Sequence, residues 1–170
     1  FSTQTTLLDI RAGRVITDLE QFTVMHGQRR ITAVDVNFWG VPFSPVESDH
    51  FYATLATGGK TYLIEGSVRD RSARVLHTNV ECPSVSPDGT RIAYKHRERT
   101  GEWRLSVLDL ATMRVTPLAE TRNVDDQAEW LDDNQVLYGL EGAIWSVRAD
   151  GTGAPQLYLP DADSPAVVHR

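Results

Sequence analysis

The sequence predicts an all-β fold built from a repeated four-strand unit, and three observations carry that prediction. Gly, Pro, Asp and Asn punctuate the chain every eight to twelve residues, and the segments between them are short and rich in Val, Ile, Leu, Tyr and Trp. No segment keeps apolar residues at i, i+3, i+4 and i+7 long enough to make a helix; the acidic "VDDQAEWLDD" runs straight into the next strand pattern. Landmarks also recur in one register: Asn37-Phe38, Asn79-Val80 and Asn123-Val124 are 42 and 44 residues apart, and Tyr52, Tyr94 and Tyr138 keep the same offsets.

A period near 42 with four strands per period is the pattern of a β-propeller blade. A lone four-stranded meander leaves both faces in water, so such units are stable when stacked around an axis. A β-sandwich is the alternative, and it gives no reason for two landmarks to share their offsets.

The elements follow in order. Residues 1–30, from "FSTQTTLLDI", read as an outer half-blade turning at Asp9 and Gly13. Residues 31–77 form a blade, with "FSPVESDHFYA" as the corner between its inner strands and an outer pair turning at Arg69-Asp70. Residues 78–121 form the next, around "SVSPDGTRIAY": Pro87 ends a strand, Asp88 accepts local backbone hydrogen bonds and Gly89 supplies positive φ. Alternation in "RIAYKHR" places Ile92 and Tyr94 on one face and Arg91, Ala93 and Lys95 on the other. "RLSVLDLATMRVTPL" completes that blade with a turn at Asp109. Residues 122–160 form a third blade through "EWLDDNQVLYG" and a turn at Asp150-Gly151, and residues 161–170, with "SPAVV", read as a closing strand.

This makes about three and a half to four blades. Either four blades close by pairing of the tail with the opening half-blade, or the chain is a fragment of a larger ring; the fragment is the expectation, because "FSTQTTLLDI" opens in what should be the third strand of a blade. The missing blades would be a separate chain, a second copy or a preceding part of the same polypeptide.

Net charge is −6 from 17 basic and 23 acidic residues with no basic stripe, which argues against a nucleic-acid partner. No apolar run approaches the roughly 18 residues of a membrane span. The single cysteine, Cys82, excludes an intrachain disulfide and reads as a small strand side chain. His26, His50, His77, His96 and His169 lack metal-ligand spacing, and no Gly-x-Ser-x-Gly elbow occurs, so no catalytic residue is assigned. Gly59-Lys60-Thr61 resembles the end of a phosphate-binding loop, but position 54 is Thr where that motif needs Gly; a hairpin turn at Gly58-Gly59 is the better reading.

Consecutive blades bring the loops that lead into them together at the channel mouth. The candidate ligand-binding residues are therefore Asn37, Trp39, Asn79, Glu81, Asn123, Asp125 and Asp126. No metal or cofactor is required; a hard cation such as calcium would sit at Glu81, Asp125 and Asp126, with solvated turns as the plainer reading. Trp39 and Trp130 pack within blades or line the channel. The Pro-Asp-Gly corners fall on the opposite rim, which makes Asp88 architectural.

"SVSPDGTRIAY" followed by "LSVLDLATMRVTPL" resembles the TolB-like, WD-related propeller repeat, with Met113 where Gly is usual and Pro117-Leu118-Ala119 where Leu-Thr is expected. The wider chain, with "NFWGVPFSP" and "AEWLDDNQVLYG", is similar to the C-terminal half of uncharacterised actinobacterial TolB-like proteins. The resemblance implies a six- or seven-bladed ring, of which this chain is part, in a bacterial, extracytoplasmic protein of the cell envelope with an upstream signal peptide or anchor. The function expected is a non-catalytic module that binds a protein or peptide through channel-mouth loops. The rival is a propeller fragment of a peptidase or glycan-processing enzyme, since TolB-like blades also occur beside hydrolase domains.

Overall fold

A computed structural model describes residues 3–168; Phe1 and Ser2 of the opening segment, and His169 and Arg170 of the closing one, lie outside the described residues. Strands β1 (Thr6–Asp9) and β2 (Arg14–Asp18) pair antiparallel around a turn in which the Asp9 carboxylate accepts the Ala12 amide at 2.9 Å. A 3-10 turn, Leu19–Gln21, leads to β3 (Thr23–His26) and β4 (Arg29–Arg30). Three antiparallel meanders follow. Blade I holds β5 (Asn37–Trp39), β6 (His50–Thr57), β7 (Lys60–Ser67) and β8 (Ser72–Thr78). Blade II holds β9 (Glu81–Val85), β10 (Arg91–Arg97), β11 (Trp103–Asp109) and β12 (Val115–Pro117). Blade III holds β13 (Glu129–Asp132), β14 (Gln135–Leu140), β15 (Ala143–Arg148) and β16 (Gln156–Pro160).

Residues 3–30 serve two sheets. The β1–β2 hairpin stands alone, whereas β3 pairs parallel with β8, Thr23 opposite Ser72, and widens the sheet of blade I to six strands. That pairing covers the outer edge of β8, which would otherwise present unmatched backbone groups. Residues 161–168 carry no strand; the Ala162 amide donates to the Gly142 carbonyl at 3.1 Å.

The two-residue alternation of β10 decides how blades stack. Ile92 and Tyr94 join Leu108 and the blade I residues Tyr52 and Leu63 in one cluster, while Ala93 joins Leu105, Val107 and the blade III residues Trp130, Val136 and Tyr138 in another. One strand thus buries its odd and even side chains against two different neighbours. Blade I does the same, with Phe51, Ala53, Leu55 and Ile64 packed on Leu7, Leu19, Phe22 and Val24 from the N-terminal segment. Gly66 opposite Phe51 makes this possible, since a β-carbon there would lie 2.3 Å from the phenyl ring.

Tyr52 departs from the repeat. The corner of blade I, closed by the Ser44 amide on the His50 carbonyl, is one residue longer than that of blade II, closed by the Ser86 amide on the Arg91 carbonyl. A one-residue shift turns every following side chain to the other face. Tyr52 therefore faces blade II, where it meets Tyr94 in a shared cluster, and Ala53 takes the place equivalent to Tyr94. Tyr138 does match Tyr94, each facing the blade before its own.

The acidic turns behave as the sequence indicates. Asp88 accepts from Ser86 Oγ and from the Thr90 amide and hydroxyl, and Asp109 and Asp150 accept from Thr112 and Thr152 two or three residues on. Met113, where the repeat usually has Gly, holds a left-handed backbone at φ 58°. Trp130 lines no channel: it is fully buried between blades II and III and donates its indole N–H to the Ser84 carbonyl at 2.9 Å.

Blades II and III are clamped by a buried carboxylate. Glu120, 3 % exposed, accepts the Tyr138 hydroxyl and a forked pair of bonds from Arg122, whose guanidinium lies 4.2 Å from the Trp145 ring centre. Burial pushes the Glu120 carboxyl up, but the bonds from Arg122 and Tyr138 outweigh it and hold the group at about 2. Because the folded value lies below the ordinary 4.5, the stabilisation is complete above pH 4.5 and is lost as pH falls through about 2. Urea unfolding followed by tryptophan fluorescence is expected to show the midpoint falling between those pH values. Glu120→Gln is expected to flatten that fall and to cost roughly 2–3 kcal/mol at pH 7.

Candidate functional site

The loop-bearing face of the blades is built by hairpin ends held from neighbouring loops. Arg97 and Trp103 are the last paired residues of the β10–β11 hairpin. A hairpin's end leaves backbone groups without strand partners, and these must be matched elsewhere. Asn79 matches one side, donating Nδ2 to the Arg97 carbonyl at 3.0 Å and accepting the Arg97 amide at 3.1 Å. Asn123 matches the other, accepting the Trp103 amide at 2.6 Å. Asn37 accepts the Thr3 amide at 2.7 Å and so ties the N-terminal segment to blade I. The three recurring asparagines are thus engaged with backbone, and they place the loops around them.

What these loops present is a charged mouth over blade II. Lys95, opposite Glu81 across the β9–β10 pair, has a side chain only 10 % exposed. A buried ammonium needs a partner. Lys95 donates to the Asp125 carboxylate, and its Nζ lies 4.8 Å from the Trp103 ring centre. Arg97 stacks over the same ring at 5.2 Å. Burial raises the half-buried Glu81 carboxyl above its ordinary range; Lys95 pulls it down and Asp125 pushes it up. Cys82 follows Glu81 at φ 50°, with its amide donating to Thr54 Oγ1 at 3.0 Å, and burial pushes its thiol up. Half-buried Trp39 on β5 lies opposite Thr54, and its side chain reaches the Cys82 thiol.

Asp126 stands apart from this cluster. It accepts the Gly139 amide at 2.7 Å, on blade III. Glu81, Asp125 and Asp126 therefore make no common cation cradle, and among the described residues no three His, Cys, Asp or Glu groups converge closely enough to hold a metal ion.

A cleft of about 530 Å³ opens beside this cluster, between the loop ends of blades I and II. Glu81 and Arg97 line one side; Lys60, Tyr62 and His26 line the other. Lys60 follows a two-residue hairpin in which Gly58 and Gly59 have φ 57° and 71°. The turn is fixed from outside by Asp35, which accepts Thr57 Oγ1 at 2.6 Å and the Gly58 amide at 2.8 Å; these bonds, the Thr57 one first, hold its carboxyl low. Lys60, Lys95, Arg97 and Trp103 were not among the sequence-derived site residues. The pairing of Arg97 with Trp103 is traceable to the hairpin centred on "ERTGE", whereas nothing local in sequence ties Lys95 to Asp125, thirty residues on.

No protein family matches the chain by sequence, and no curated protein does. Solved structures do match its fold. An oligogalacturonate lyase in complex with manganese is 18% identical with a TM-score of 0.59, over 89% of this chain and 45% of that one. TolB from Acinetobacter baumannii is 16% identical with a TM-score of 0.54, over 86% and 46%. The β-propeller domain of the Trilobed protease from Pyrococcus furiosus is 16% identical with a TM-score of 0.56, over 76% and 45%. The chain thus spans less than half the length of each, and likeness at this identity is likeness of fold: an all-β propeller, TolB-like among others.

The cluster can be checked by titration. Carboxyl NMR is expected to show Glu81 titrating lower in Asp125→Asn, where a repelling charge is gone, and higher in Lys95→Met, where an attracting one is gone. Shifts in the opposite order would contradict the arrangement.

Proposed function

We propose that the chain is a non-catalytic binding module that takes a protein or peptide across its loop-bearing face, into the cleft between blades I and II. The cleft carries this reading. Its two rims hold cations in fixed places, Lys60 on a hairpin pinned by Asp35 and Arg97 on a hairpin end pinned by Asn79 and stacked on Trp103. Half-buried Glu81, on the Arg97 side, offers an acceptor to a peptide N–H. Rims held by backbone hydrogen bonds lose little freedom when a ligand settles, which favours recognition by loops of this kind. Cations on both sides favour a ligand with an acidic side chain.

In this reading Glu81 lines the cleft, Asp125 and Trp39 stand behind it through Lys95 and Cys82, and Asn37, Asn79, Asn123 and Asp126 set the loops. A place in the cell envelope belongs to the same proposal and rests on the TolB-like repeat. So does completion of the ring by further blades. Leu8 and Val15 pair across the β1–β2 hairpin and are 61% and 62% exposed, on the side where another blade would stack. The likeness to a lyase and to the propeller of a protease is one of fold, and no observation favours an enzymatic reading over binding.

Peptides selected on the folded chain from a displayed library provide the test, with affinities measured by fluorescence anisotropy. The proposal expects enrichment of acidic sequences, and about tenfold or greater weakening in both Lys60→Ala and Arg97→Ala. Asp88→Asn, on the opposite rim, is expected to bind as the unaltered chain does. Binding indifferent to Lys60 and Arg97 would remove the cleft from the account.

A further inference from the structure

The peptide cleft has a neighbour. A second cleft, of about 480 Å³, lies between the same two blades, walled by His77 on β8, Arg104 on β11 and Val115 on β12. The two clefts share Thr78 and Asn79, the last residue of β8 and the first of its link to β9. Both are exposed, and they form a ridge with a hollow on either side. The ridge is fixed: the Asn79 amide donates to the Thr61 carbonyl at 2.7 Å, and its side chain is bonded to the backbone of Arg97. The end of β10 divides in the same way, with Arg97 lining the first cleft and Glu98 the second.

The hollows differ in chemistry. Cations border the first, Lys60 and Arg97. In the second each charged group is already engaged: Arg104 with Glu102 at 3.0 Å, Glu98 with His96 at 3.1 Å, and Glu120 with Arg122 at 2.6 Å. The surface between these pairs is largely carbon, supplied by half-buried Val115, exposed Pro117 and the half-buried His77 ring. An ion entering it would lose water and meet no free counter-charge, whereas an apolar side chain would be drawn out of water.

An extended chain places side chains i and i+2 on one face, about 7 Å apart, with the side chain between them turned away. A chain crossing Thr78 and Asn79 in that form lowers one side chain into each hollow. We propose that the peptide taken by the first cleft crosses this ridge and seats an apolar side chain, two residues from its acidic one, in the second cleft. The inference rests on the peptide reading above, and adds to it a second anchor and a register.

The test uses fluorescein-labelled peptides and the full chain, with affinities read by anisotropy. The probes are Gly-Ser-Glu-Ser-Leu-Ser-Gly and the same peptide with Glu and Leu exchanged, since either chain direction satisfies the geometry. The controls replace Leu by Ser or move it next to Glu. One of the two probes is expected to bind about tenfold tighter than both controls and to shift the Val115 methyl signals. That gain is expected to vanish in Pro117→Glu, which sets a carboxylate on the wall at an exposed position. Should that variant disturb β12, Thr121→Trp, filling the cleft from another exposed position, carries the same expectation. A leucine that adds nothing, that adds as much beside Glu, or whose gain survives in the folded variants overturns the second anchor; weakening of the leucine-free peptide by Lys60→Ala would then leave the peptide reading in place. Binding that is absent for every peptide, or indifferent to Lys60, overturns both.

Discussion

A four-stranded blade has two apolar faces and covers neither, and the rest of this structure follows from that. On β10 the consequence is visible residue by residue. Ile92 and Tyr94 reach one neighbour while Ala93 reaches the other, so no blade can be removed without exposing a face of the next. Polar groups at these interfaces are held to the same standard: Trp130 finds the Ser84 carbonyl, and Tyr138 finds Glu120. At the first hairpin, where stacking has no partner on one side, Leu8 and Val15 are left in water.

Stacking also explains where binding groups can be placed. Strand interiors are committed to packing, so the residues free to meet a ligand lie at the hairpin ends, and only those fixed from a neighbouring loop have a defined position. Lys60 and Arg97 meet both conditions, through Asp35 and Asn79. Lys95 shows the opposite case: it sits on the packed face with Ala93, and Asp125 and the Trp103 ring compensate its charge there.

Much of the fold was legible in the sequence because turn chemistry is local. Asp88, Asp109 and Asp150 bond to residues two or three positions away, and those bonds need no knowledge of the rest of the chain. The recurring asparagines were also legible, but their role was not. Asn79 and Asn123 match the two sides of one hairpin end in blade II, and Asn37 ties the N-terminal segment to blade I, so what recurs is engagement with backbone. The 42-residue offset shared by Tyr52 and Tyr94 concealed the extra residue in the corner of blade I, and Tyr52 consequently faces the blade after its own where Tyr94 faces the blade before. The Lys95–Asp125 pair joins blade II to the loop that leads into blade III, and no single segment encodes it.

The central claim is that ligand contact falls on the loop-bearing face between blades I and II, with the opposite rim serving architecture. Hydrogen exchange of the whole chain, measured with and without a bound selected peptide, addresses that claim directly. The account predicts slowed exchange at Gly58–Lys60 and at the Glu98–Gly101 turn, with residues 86–90 unchanged. Protection confined to residues 86–90 and the Asp109 and Asp150 turns would place the ligand on the other rim and contradict it.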